Sequence, residues 1–209
     1  NQEYGGAIKL EHSDACVLSC DFRENQSSAA GGAVLCHFSN AKIRDCRFWH
    51  NTTVYSGGAV CVWSSTVQID NCVFLRNEAP GGSYGWGGAI ACGDSTVQIS
   101  HCSLSRNRAQ LGGAIICNNS SSVTLLNCIV WTNDGTNGAD EAYIGDLNST
   151  LSLRRCDIPD DAVEPDRFGF ASGVPSTTIV EENPLHDDPE FVCPEAGVLR
   201  LRHTSPCID

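Results

Sequence analysis

At 209 residues the chain is long enough for one domain with a full core. With 25 acidic against 13 scattered basic residues its net charge is −12, a field that repels nucleic acid and anionic lipid surfaces and excludes both as expected partners. A run of eighteen apolar residues is missing, so no membrane insertion by this segment is expected, and 13 cysteines without one CxxC pair point away from zinc and a reducing cytosol towards an oxidising, secreted or outer-surface location.

Lacking methionine and a signal peptide, the chain reads as a processed or excised segment. Its first predicted strand opens at Gly5 with GGAI, and GGA plus an aliphatic returns at Gly31, Gly57, Gly87 and Gly112. Alternation puts Ile8 and Leu10, Val34 and Cys36, Val60 and Val62, Ile90 and Cys92, and Ile115 and Cys117 on one inward face. A second strand follows, as in AKIRDC, VQIDNC, VQISHC, VTLLNC and LSLRRC. Its inward residues are Ala41 and Ile43, Val67 and Ile69, Val97 and Ile99, Val123 and Leu125, and Leu151 and Leu153. Across a bend the parity switches to a third strand, read as Cys20-Phe22-Asn25, Cys46-Phe48-Asn51, Cys72-Phe74-Asn77, Cys102-Leu104-Asn107 and Cys128-Val130-Asn133. A sixth copy degenerates to Cys156 and Ile158, with Asp161 in the asparagine's place. Successive cysteines lie 26, 26, 30, 26 and 28 residues apart, the long step holding EAPGGSYGWGG.

Three short strands and three bends in about 26 residues describe one rung of an all-β, single-stranded parallel β-helix, in which stacking supplies the core a single rung lacks. The glycine pair belongs at a corner where φ must be positive or a Cβ would clash. Asn25, Asn51, Asn77, Asn107 and Asn133 belong at another, as a structural ladder bonded amide to amide. The sequons at Asn25 and Asn51 are thereby assigned to the interior, leaving Asn119 and Asn148 as the accessible ones. About six coils occupy residues 1–158, and 159–209 form a C-terminal cap with TTIVEE and VLRLRH as short strands.

Alternating GGA[ILV] and FxxN motifs from Gly5 to Asn133 resemble the passenger repeats of the chlamydial polymorphic outer membrane proteins. The segment Asn183 to Asp209, with its DPEF element and terminal SPCID, is similar instead to the ends of other large bacterial surface and secreted β-helix proteins. The resemblance implies a right-handed β-helix at a cell surface, with adhesive or structural roles and no catalytic residues.

Cys20, Cys46, Cys72, Cys102, Cys128 and Cys156 form one inward stack, and Cys36, Cys92 and Cys117 face inward on the GGA strand. Rungs about 4.8 Å apart bring stacked cysteines near disulfide range, so cross-rung bonds and small buried hydrophobes both stand as readings. Cys193 with Cys207 is the expected disulfide, a staple on the tail. Cys16 and Cys61 fall outward and are the candidates for the unpaired or intermolecular thiol that an odd count requires.

No catalytic residue, metal or cofactor is expected, and the chain reads as not an enzyme. Outward positions of neighbouring rungs repeat no carboxylate pair, the six histidines are dispersed, and the acidic stretches PDDAVEPD and HDDPE read as solvated loops. Trp49 and Trp131 share an outward slot, while Tyr55, Tyr84 and Trp86 precede GGA in loops; they either bind a sugar or partner, or pack beneath the loops. Asp140, standing in NGAD where GGAI is due, either closes the asparagine ladder or bonds the sixth rung's backbone. Asn1 stands near an FxxN position, so the first rung is expected to be covered by further rungs or by another copy, which head to tail makes a fibre. The expected function is that of a non-enzymatic extracellular or cell-surface structural β-helix, adhesin-like or fibre-forming. Its partner would be itself, a host or cell-surface protein, or a glycan; the alternative is a glycan-binding module or a degenerate polysaccharide lyase or hydrolase.

Overall fold

A computed structural model describes residues 4–82, 85–159, 167–175, 179–182, 184–189, 191–193, 198–201 and 205. Among the described residues every regular element of more than one residue is a strand, most of them two to five residues of alternating burial. The first sheet stacks Ile8–Glu11, Val34–His37, Val60–Trp63, Ile90–Gly93, Ile115–Asn118, Ala142–Ile144 and Phe168–Phe170, all parallel and in chain order. The second stacks Cys16–Leu18, Asn40–Arg44, Thr66–Asp70, Thr96–Ser100, Ser122–Leu126, Thr150–Arg154 and Ile179–Glu182. The third holds Asp21–Arg23, Arg47–Trp49, Val73–Leu75, Ser103–Ser105 and Ile129–Trp131. Together they make a parallel β-solenoid of about six turns, numbered here by the glycine pairs that open them.

Periodicity resolves three strands per rung, and the structure adds a fourth. Two-residue strands from Gln26–Ser27 to Asp134–Gly135 form their own parallel sheet, too short for alternation to mark them. Parallel pairing continues past residue 158, with Phe168–Phe170 and Ile179–Glu182 joining the first two sheets, while Phe191–Cys193 and Val198–Leu201 pair antiparallel.

Identical side chains lie one above another inside. Ile43, Ile69 and Ile99 form one column, and the rings of Phe22, Phe48 and Phe74 stack at 4.8 and 4.7 Å, the rise of one rung. Rungs turn at four corners. At three of them a left-handed residue precedes an inward Ser, Cys or Asn: among the described residues, 16 of the 17 non-glycine residues of positive φ sit there, as Phe38 before Ser39, Asp45 before Cys46 and His50 before Asn51. At the fourth, Gly31, Gly57, Gly87 and Gly112 take φ of 65–69°. The second glycine of each pair is needed for a different reason. A Cβ on Gly32 or Gly58 would run into the carbonyl of the equivalent glycine on the next rung.

Candidate functional site

The asparagine corner is a continuous hydrogen-bonded ladder. Asn77 Oδ1 accepts from the backbone N–H and the Nδ2 of Asn51 at 3.0 and 2.9 Å, and Asn77 Nδ2 donates to Asn107 Oδ1 and to the Phe48 carbonyl, both at 2.9 Å. Asn25 enters it through Asn51, and Asn107 passes it to Asn133. The ladder ends on Glu141, a buried carboxylate that accepts from the backbone N–H and the amide of Asn133. Asp140 has another task, accepting from the Gly135 N–H at 3.0 Å.

Serine and cysteine form two further ladders by one rule. Ser39 N–H donates to Ser65 Oγ at 3.0 Å and Ser65 N–H to Ser95 Oγ at 3.1 Å, while each of these hydroxyls donates to the carbonyl two residues before it. Likewise Cys46 N–H donates to Cys72 Sγ at 3.4 Å and Cys72 N–H to Cys102 Sγ at 3.3 Å; the thiols donate to the carbonyls of Arg44, Asp70 and Ser100. The stack is therefore a polar corner, neither a set of cross-rung disulfides nor inert filler. Cys20, Cys128 and Cys156 belong to it and are thiols too.

Cys36, Cys92 and Cys117 are buried on the inward face, and burial raises all three thiols, Cys36 to about 12. Cys16 is exposed. Cys61 does fall on the outer side of the first sheet but is 2% accessible, its thiol pushed up to about 12 by burial, so it is not the reachable thiol its parity suggested. Cys207 and the side chain of Cys193 lie outside the described residues, as does Tyr84.

What covers Cys61 leads to the site. Along the outer face of the first sheet run two columns: Lys9, Leu35, Cys61, Ala91, Ile116 and Tyr143, and beside it Glu11, His37, Trp63, Gly93 and Asn118. Leu35, Cys61, Ala91 and Ile116 are buried there as a second small core, with Ala30, Trp86, Leu111 and Tyr143 packed half-buried against it. Along the edge of this core, over the first three rungs, lies a groove of about 530 Å³. Buried Ala29, Leu35 and Cys61 form its floor, and Tyr4, Tyr55 and Trp63, 38–43% exposed, stand at its sides. The Trp63 indole rests on Gly93, where a Cβ would come within 2.8 Å of the ring. At one end Lys9 Nζ lies 2.7 Å from Glu11 Oε2, and Glu11 Oε1 lies 3.5 Å from His37 Nδ1. The bond from Lys9 is the main reason that the Glu11 carboxyl is held below its ordinary range.

Around the next corner Phe38, 51% exposed, stacks on His12 at 5.2 Å and touches His37 at 4.2 Å. Beyond it a polar groove of about 670 Å³ follows the serine corner past Asp14, Asn40, Thr66 and Asp94.

Of the aromatics nominated by sequence, only Tyr55 lines the aromatic groove among the described residues. Trp86 packs half-buried on the second core. Trp49 and Trp131 do share a column, but both are half-buried with Leu75 and Ser105 between them, and the Arg23 guanidinium lies over the Trp49 ring at 5.2 Å. Trp63 was missed although the alternation of VCVW carried it: Val62 points in, so its neighbour points out. Phe38 and His12 sit at left-handed corners, φ 48° and 50°, where alternation assigns no direction.

Among the described residues no group of three or more His, Cys, Asp or Glu side chains is placed to hold a metal, and no helix is long and apolar enough to cross a membrane. In sequence, the model of the right-handed β-helix region matches residues 2–135, well over half of the chain. No curated protein matches it.

Proposed function

For a chain that belongs to the right-handed β-helix family, we propose the role of a non-enzymatic, adhesin-like protein at a cell surface or outside the cell. The fold fits structural, surface and polysaccharide-related proteins alike, so the choice rests on the site. One observation carries it: Tyr4, Tyr55 and Trp63 are 38–43% exposed and gather on one face of the first three rungs. Elsewhere on that face the large apolar side chains are covered. Exposed aromatic surface concentrated in one place is what a binding face offers, since each ring contributes large contact area at little conformational cost.

A non-enzymatic role agrees with the groove's chemistry. Glycoside cleavage uses two carboxyl groups facing the scissile bond. The described lining of the groove holds one, Glu11, and it is tied to Lys9 and His37. Thiols that serve as corner donors and acceptors leave the cysteine count without force as an argument for location. The extracellular setting is supported instead by the acidic net charge of −12 and by the GGA and FxxN pattern's resemblance to surface passengers.

Adhesion is the test. Beads coated with the chain are expected to bind cultured epithelial or bacterial cells, and the Tyr55→Ala/Trp63→Ala double variant to lose most of that binding while melting at the wild-type temperature. Beads that bind no cells, or bind equally with the double variant, overturn the reading. Filaments seen by electron microscopy with no cell binding would replace it with the fibre-forming role.

A further inference from the structure

We propose that the aromatic groove over the first three rungs is a binding site for a neutral saccharide, its sugar rings stacked on Trp63 and Tyr55. The inference rests on the reading of this face as a binding surface and names its occupant. A pyranose ring has an apolar C–H face and a rim of hydroxyls, so its receptor needs flat aromatic walls with polar groups at the margin. The groove has both. Tyr55 and Trp63 present ring surface above a floor of Ala29, Leu35 and Cys61, and Lys9, Glu11 and His37 offer donors and acceptors at one end. About 530 Å³ falls within the ~300–1,000 Å³ usual for small-molecule sites.

Charge narrows the class. Among the described lining residues Lys9 is the one permanent cation, and it is paired with Glu11 at 2.7 Å. His37, 3.5 Å from the same carboxylate, is a cation only when protonated, so with His37 neutral the groove offers no free positive charge to a uronate or sulfate. The net charge of −12 repels polyanions further. A neutral chain of hydroxylated rings meets neither penalty. Trp63 is also pre-positioned: Gly93 gives it a seat without a Cβ, so less rotamer freedom is lost when a ring stacks on it.

The experiment titrates the full chain with neutral oligosaccharides (cello-, laminari-, xylo- and chitohexaose) and with polygalacturonate, read by calorimetry and tryptophan fluorescence. At least one neutral hexaose is expected to bind with Kd below about 1 mM, with little change up to about 0.5 M salt. Trp63→Ala and Tyr55→Ala should each weaken it about tenfold or more, while Trp63→Phe restores most of the affinity. Trp49→Ala, on another sheet, should leave it unchanged. Circular dichroism and melting temperature establish that each variant is folded. The proposal is overturned if no neutral hexaose binds, if polygalacturonate binds more tightly than all of them, or if Trp63→Ala binds as wild type. Should cells still adhere to coated beads through Tyr55 and Trp63 while every saccharide fails, the adhesive role survives with a protein partner and only the saccharide assignment falls.

Discussion

The two faces of the first sheet belong to the same strands yet follow different rules. Inward, Val34, Val60, Ile90 and Ile115 differ by no more than a methylene from rung to rung, and Cys36, Val62, Cys92 and Cys117 are all small buried side chains. Outward, the same strands carry Glu11, His37, Trp63, Gly93 and Asn118 in one column, with no common chemistry. An inward side chain must fill a slot set by its neighbours one rung above and below, so its size and polarity are constrained twice. An outward one answers only to the loop that crosses it. Where Trp86 and Leu111 pack on it, the face becomes a small core; beside the groove Tyr4, Tyr55 and Trp63 remain 38–43% exposed. Interior columns thus specify the solenoid, and departures from repetition outside are where a function can be written.

The sharpest way to break this contrast is inside. Asn77→Ala removes the acceptor for both Asn51 donors and the donor to Phe48 and Asn107, four bonds at a fully buried position. Buried groups left unpaired cost about 1–3 kcal/mol each, and with partial relaxation the loss should be roughly 3–5 kcal/mol in urea unfolding. A loss under about 1 kcal/mol would mean that the columns are not over-determined. A finer test exchanges one ladder's chemistry for another's. Cys72→Ser keeps an acceptor for Cys46 N–H and a donor to the Asp70 carbonyl, as Ser65 does at its own corner, and should cost less than about 1 kcal/mol. Cys72→Ala abolishes both bonds and leaves a void, and should cost roughly 2–3 kcal/mol. Equal losses would assign the corner to sulfur's volume rather than its bonds.

How far the sequence reaches follows from the same division. The column Ile43, Ile69, Ile99, the phenylalanine stack and the asparagine ladder all recur at the repeat spacing, so alignment of the repeats alone places them. The serine ladder recurs as faithfully, at Ser39, Ser65, Ser95 and Ser121, but serine is common at turns and no companion residue singles it out. Cys61 shows where parity falls short: it fixes which side of a sheet a residue faces and says nothing of what lies over it. The groove was the least accessible of all. Tyr4, Tyr55 and Trp63 come from three rungs and three different places in the repeat, and only coiling brings them together.

The smallest expected effect lies on the outer face of the second sheet. Asp70 accepts from Ser100 Oγ at 2.7 Å and from His101 Nδ1 at 3.0 Å, and these bonds, His101's the larger, hold its carboxyl below the ordinary aspartate range. A lowered folded-state value means that the stabilisation is complete above the unfolded value of about 4 and is lost as pH falls through the folded one. The side chain is 35% exposed, so solvent and salt screen the interaction to a few tenths of a kcal/mol, about the size of other surface pairs. Wild type should therefore exceed Asp70→Asn in urea midpoint slightly at pH 6, by less at high salt, and the gap should close towards pH 2. If it instead matched the cost of Asn77→Ala, the outer contacts would specify the solenoid as strongly as the inner columns. The freedom of the outer face to carry an aromatic groove would then need another explanation.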